Sequence, residues 1–192
     1  VGNWKMNKTP KEAVPFVKKF IKLSQKCKKQ GAIIGFGVPY LCLEPLMKYK
    51  DEILIAAENC HYKESGAFTG EVSASMLSAI GCENCIVGHS ERRQYYNETS
   101  TECNLKLKEL LRLQMYPIYC VGETAQQYDN GEGKEVVKKQ VLEGLNGIED
   151  VTTITIAYEP VWSIGTGVNA SKEIAEDMCK FIRGLISSSF LF

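Results

Sequence analysis

Six short apolar runs alternate with longer stretches of helical period along this sequence. Of the common architectures, that alternation fits a parallel sheet whose strands are joined by crossover helices. The runs are residues 1–4, 32–38, 53–57, 85–87, Tyr116–Val121 and 153–158. Helices are predicted at residues 11–29, 41–48, 73–80, 100–113, 135–145 and 171–186, the last opening on Ser171 as N-cap. In the first of them Val14, Val17 and Ile21 fall on one face, and Lys18, Lys22, Lys26 and Lys29 on the other, which reads as a solvated surface. No linker or low-complexity segment divides the chain, so residues 1–192 are expected to form a single domain.

Charge narrows the partners. Lys plus Arg and Asp plus Glu both number 23, giving a formal net charge of zero, so no global field points to nucleic acid or an anionic membrane. Any bound anion must be held locally. No window approaches the roughly 20 apolar residues of a membrane span, and residues 1–8 lack the basic and apolar regions of a secretory leader, so a cytoplasmic protein is expected. The eight cysteines are scattered through apolar runs, as small core residues would be. Cys82 and Cys85 form one CxxC pair, but the chain has only His61 and His89 to complete a site, and no metal is expected. Val1 in place of Met, and the apolar end of residues 187–192, lead to the expectation that this is part of a longer chain.

In parallel βα architectures chemistry gathers at the carboxyl ends of the strands. There the sequence places Lys5 after the first run, His89 after the fourth and Glu159 after the sixth. Taken singly these are a surface lysine, a core histidine and a carboxylate beside Pro160. Together on one rim they supply a cation, a neutral donor and a base, the set needed to move a proton next to a carbonyl. Gly165-Thr166-Gly167-Val168-Asn169-Ala170 also fits the loose dinucleotide pattern GxGxxA. The context is wrong, because the first glycine stands well beyond the end of the strand at Tyr158 and Leu185 lies where a ribose-binding acid belongs. A lid with glycine hinges and an amide aimed at a phosphate suits those glycines better.

Five long segments occur in order along the whole chain: GNWKMN at residues 2–7, ENCHYKESGAFTGEVSASML at 58–77, GHSERR at 88–93, YCVGET at 119–124 and AYEPVWSIGTG at 157–167. In these the chain resembles the triosephosphate isomerase family. The resemblance implies a (β/α)8 TIM barrel, here incomplete with about six βα units. It also implies interconversion of dihydroxyacetone phosphate and glyceraldehyde 3-phosphate, a step of glycolysis and gluconeogenesis that needs no cofactor or metal. A barrel of about 250 residues has roughly 31 per unit, so this length corresponds to about six units. The family's seventh and eighth strands, with their glycine-rich phosphate loops, have no counterpart here.

By the same resemblance Glu159 is the base that shuttles the proton between neighbouring carbons, and His89 polarises the carbonyl. Because His89 opens a helix, a neutral imidazole is expected there. Lys5 would stabilise the oxyanion and the phosphate, Asn3 would hydrogen-bond the substrate, and the Gly165 amide would grip the phosphate. Ser90, Glu91 and Cys120 would support the site. The lid would comprise Pro160, Val161, Trp162, Ser163, Ile164, Gly165, Thr166, Gly167 and Val168, closing to expel water. Phe68, Thr69 and Gly70 would form the tip of a loop inserted into a second subunit, which implies a homodimer. Glu58 stands where the family more often has Gln and would put a carboxylate near Lys5. Two alternatives stand beside the isomerase. One is a truncated, catalytically incompetent barrel acting as an oligomerising or interacting protein. The other is a different aldose-ketose isomerase or a Schiff-base aldolase using Lys5, which the lid and the GHSERR segment disfavour.

Overall fold

The computed structural model describes residues 1–28, 31–165, 167 and 169–189. Of the segments expected above, Lys29 at the end of the first helix, Thr166 and Val168 in the lid, and Phe190, Leu191 and Phe192 at the tail lie outside the described residues. The chain divides into two units, Val1–Ile86 with Glu109–Tyr116, and Val87–Lys108 with Pro117–Phe192. Parallel strands alternate with helices in both, the pattern of an incomplete (β/α) barrel.

In the first unit β1 (Gly2–Asn3), β2 (Gly35–Val38) and β3 (Leu54–Ala57) pair in parallel in chain order, and β3 pairs in parallel with β4 (Asn84–Val87). Helix α1 (Pro10–Lys28) starts where expected for physical reasons: Thr9 donates from its N–H and hydroxyl to Glu12, each at 2.8 Å, and Pro10 stands where no N–H is needed. It buries Ala13, Val17 and Ile21, spaced four apart, while Lys18 and Lys22 are exposed. Phe20, Phe36 and Trp4 form one aromatic cluster, with ring centroids 4.7 Å apart for Phe20 and Phe36 and 5.3 Å for Trp4 and Phe36. That cluster fixes Trp4, the residue before Lys5. Helices α2 (Tyr40–Leu46) and α3 (Ala74–Ala79) complete the unit's short crossovers.

The second unit carries α4 (Ser90–Tyr96), the larger part of α5 (Ser100–Arg112), β5 (Tyr116–Val121) from Pro117 onward, α6 (Ala125–Asp129), α7 (Gly133–Gly144), β6 (Thr155–Tyr158) and α8 (Lys172–Ser189). Strands β5 and β6 run parallel, with Ile118 against Thr155 and Val121 against Tyr158. The core holds Leu107, Tyr119, Val121, Val137, Val141 and Leu145, all fully buried. Strand β6 is half-exposed where β5 is buried beyond Tyr116. Two sequence expectations need correcting. Residues 187–189 are not a tail but the last residues of α8, and α6 was not anticipated at all. Ser171 does cap α8, accepting from the N–H of Ile174 at 3.3 Å.

Gly144 shows how tightly the second unit is packed. A methyl group there would overlap the Tyr119 hydroxyl and ring, and Tyr119 is held by a 2.7 Å bond to the Gln140 carbonyl and a 3.3 Å bond from Arg93. Gly144→Ala is therefore expected to destabilise the protein by about 1–3 kcal/mol in urea unfolding, although alanine favours helix. An unchanged or raised stability would mean that Tyr119 moves freely.

Candidate active site

The end of β1 is a constrained turn. Lys5 has φ of 54°, a left-handed conformation that costs a lysine about 1–3 kcal/mol and persists only where surroundings enforce it. The surroundings do: the Asn3 side-chain oxygen accepts from the Lys5 N–H at 2.9 Å, Asn7 donates to the Trp4 carbonyl at 2.8 Å, and the Trp4 N–H reaches Gly37 at 2.9 Å. Asn3 and Lys5 are thus one built feature at a strand's carboxyl end. Glu58 joins it. A methyl on Gly37 would lie 3.5 Å from Glu58 Cγ and 3.7 Å from Asn3 Oδ1, so the two side chains flank the same bare glycine.

In the second unit His89 follows β4 and caps α4, its Nδ1 accepting from the Glu91 N–H at 3.2 Å. An acceptor at Nδ1 assigns the proton of a neutral ring to Nε2, which lies 3.4 Å from Glu159 Oε2. Glu159 follows β6, and both its carboxylate oxygens are occupied, Oε1 by the Ser90 N–H at 2.6 Å and Oε2 by the Ser90 hydroxyl at 3.1 Å. Burial raises the Glu159 carboxyl above its usual value of 4.5, outweighing His89, the two Ser90 bonds and Arg93, which all pull it down. Cys120 is buried and its thiol is pushed upward, by burial first and then by the Glu159 charge. Glu91 Oε2 stands 3.7 Å from His89 Nδ1. The structure therefore brings His89, Ser90, Glu91, Cys120 and Glu159 together, a carboxylate of raised basicity beside an imidazole donor.

Residues that sequence reasoning missed hold this arrangement. The Arg93 guanidinium is inward, donating from Nε to the Gly88 carbonyl at 2.8 Å and from its other nitrogens to Ser100, Tyr119 and the Cys120 carbonyl at 3.2–3.3 Å. Glu123, 1% exposed, accepts from Tyr158 at 2.9 Å and from the Trp162 indole at 2.7 Å, and Tyr128 stacks on Trp162 at 4.2 Å. The first half of the expected lid is thereby tied down, with Val161–Ser163 in a 3₁₀ turn. Gly165 has φ of 70° and is exposed. The YCVGET segment offered the signal for Glu123, a carboxylate right after a buried strand.

The loop bearing Phe68, Thr69 and Gly70 is closed at its base by the His61 N–H on the Val72 carbonyl at 2.8 Å. Phe68 is 40% exposed and lies against the His61 ring, with centroids 4.3 Å apart. Gly66 and Gly70 have φ of 135° and 94°, conformations that carry the chain around the tip.

The family profile described as triosephosphate isomerase matches residues 1–191. A protein of that name from Mycoplasma mobile is 43% identical over 190 residues, covering 96% of this chain and 78% of its own length. Another from Chlorobium phaeovibrioides is 45% identical over 191 residues, covering 99% and 76%. A third from Acetivibrio thermocellus is 44% identical over 193 residues, covering 98% and 76%. The chain thus spans about three quarters of the length of these relatives. Matches of this extent, with the motifs in the same order as the βα units, place the chain in the triosephosphate isomerase family.

Proposed function

We propose that this chain interconverts dihydroxyacetone phosphate and glyceraldehyde 3-phosphate by proton transfer through an enediolate. Glu159 takes the proton from the carbon beside the carbonyl and the electron pair moves onto the carbonyl oxygen; the hydroxyl proton on that same carbon passes to this oxygen by way of His89 Nε2, a carbonyl forms where the hydroxyl stood, and the carboxyl returns its proton to the former carbonyl carbon. His89 Nε2–H donates to the oxygens that carry the developing charge, and Lys5 supplies a cation for that charge and for the phosphate. Asn3 hydrogen-bonds substrate, the Gly165 amide meets the phosphate, and Ser90, Glu91 and Cys120 hold the two reacting side chains. The observation that carries this reading is the pair itself: a part-buried carboxylate of raised basicity 3.4 Å from an imidazole nitrogen.

The test is a coupled assay with glyceraldehyde 3-phosphate, repeated in deuterated water. Turnover with solvent label at the carbon next to the carbonyl is expected, because a carboxyl that carries the proton exchanges it with solvent. Folded protein of verified mass without turnover would sink the reading in favour of the oligomerising or interacting role. Label-free turnover would sink the proton shuttle. We further infer that residues 1–192 act as one partial barrel domain and that the protein is a cytoplasmic homodimer, with Phe68, Thr69 and Gly70 inserted into the second subunit. The half-exposed Phe68 ring supports that contact. Among the described residues no helix is long and apolar enough to cross a membrane.

A further inference from the structure

Gly122 follows β5, and its peptide groups are met by a side chain. Its N–H donates to Gln140 Oε1 at 2.8 Å and its carbonyl accepts from Gln140 Nε2 at 3.1 Å, so one amide from α7 acts as a strand would. We propose that Gln140 is a positioning residue for Glu159, acting through Gly122. The inference rests on the assignment of Glu159 as the base.

The contact between Gly122 and Glu159 is close. A methyl on Gly122 would overlap the Glu159 carbonyl oxygen, come within 2.8 Å of its carbonyl carbon and lie 3.5 Å from its Cγ. The Glu159 N–H is bonded to the Val121 carbonyl at 2.9 Å. The peptide that Gln140 clamps is therefore the wall behind the base, and a shift of that wall moves the carboxylate. The main chain of Gln140 serves the other partner. Its carbonyl accepts from the Tyr119 hydroxyl at 2.7 Å, that oxygen accepts from Arg93 at 3.3 Å, and Arg93 Nε holds the Gly88 carbonyl at 2.8 Å, next to His89. Burial pushes Tyr119 up to about 12, so it remains a donor throughout the working range. A side-chain substitution at Gln140 spares this second path and isolates the first.

Gln140→Met keeps the length and removes both bonds to Gly122. It is expected to lower kcat about 10- to 100-fold while KM for glyceraldehyde 3-phosphate stays within about twofold, because a displaced base costs the transition state and not substrate binding. Gln140→Glu, which can still accept from the Gly122 N–H, is expected to recover part of kcat. The second readout needs no turnover. The groups acting on the Glu159 carboxyl are His89, Ser90, Arg93 and the Cys120 thiol, and none of them is altered by the substitution. A slackened wall admits water, so the ¹³C titration midpoint of the Glu159 carboxyl is expected to fall by about half a pH unit or more in Gln140→Met. An unchanged midpoint overturns the proposal, whether kcat is unchanged or falls together with melting temperature. An inactive parent protein overturns the assignment of Glu159 as base, while a displaced midpoint in that case still upholds the structural link from Gln140 to Glu159.

Discussion

Glu159→Gln is expected to abolish nearly all turnover, lowering kcat by at least about 10³-fold, and at the same time to raise the melting temperature at pH 7. The loss follows from chemistry, since an amide cannot accept the substrate proton. The gain follows from the hydrogen bonds. A Gln oxygen can accept from the Ser90 N–H, now at 2.6 Å, and its NH₂ can donate to the Ser90 hydroxyl, now at 3.1 Å, so the packing survives without a part-buried charge. Linkage fixes the sign. The folded carboxyl is raised above 4.5, so its contribution to stability is full below that value and is lost as pH rises through the folded value. Once pH has passed the folded value, the wild-type protein has lost it and the Gln variant has not. Wild-type kcat/KM is accordingly expected to fall on the acid side at a midpoint above 4.5, and urea unfolding of both proteins at pH 4 and 7 measures the other half. A variant that keeps a tenth or more of the activity, by the scale of roughly 10²–10⁴ for an acid-base group, removes Glu159 from the mechanism. A lowered melting temperature would make it a structural ion pair.

The proposed site residues were legible because each is a residue type in a fixed place. Lys5, His89 and Glu159 each stand just beyond the end of a strand, and the strands show in the apolar runs. What periodicity could not show is where those strands begin. Residues 32–34 continue an apolar run, yet Ile33 is 81% exposed and pairing starts only at Gly35, where any side chain would overlap the Leu54 carbonyl. The register is set by that missing side chain, not by hydrophobicity. Helix α6 was too short to give a period, although Thr124 and Gln127 form a capping box that the sequence spells.

The supporting residues failed for a different reason. Arg93 sits in a run of charges and reads as solvated, but its partners Tyr119 and Cys120 lie far along the chain, and Ser100 opens the next helix. A local pattern carries no information about a part-buried guanidinium whose acceptors are mostly hydroxyls and carbonyls from later elements. Gln140 is still less visible, since a half-buried polar residue on α7 is ordinary until Gly122 is seen to take both ends of its amide. Function was thus readable where it depends on residue type, and obscure where it depends on how those residues are held.

Glu98 carries this furthest, and its replacement by Gln is expected to cost about 3–5 kcal/mol of stability. Its side chain, 3% exposed, accepts from the Gly88 N–H at 2.9 Å, from Arg92 Nε at 2.6 Å and from Lys106 Nζ at 2.7 Å. Burial alone would push this carboxyl up, but Lys106 and Arg92 together outweigh it and hold it below the usual 4.5. The Gln variant would take the Glu98 charge away from the Lys106 ammonium, which is only 7% exposed. The double variant Glu98→Leu with Lys106→Met is expected to recover part of the loss, because it removes both buried charges together. Here linkage has the opposite sign to Glu159. With the folded value depressed, stabilisation is present above 4.5 and is lost as pH falls through the lower folded value, so wild type should lose stability below pH 4.5 and Glu98→Gln should lack that component. Urea unfolding from pH 7 to pH 3 reads both effects. A cost below about 1 kcal/mol would mean that the pair behaves as a solvated one.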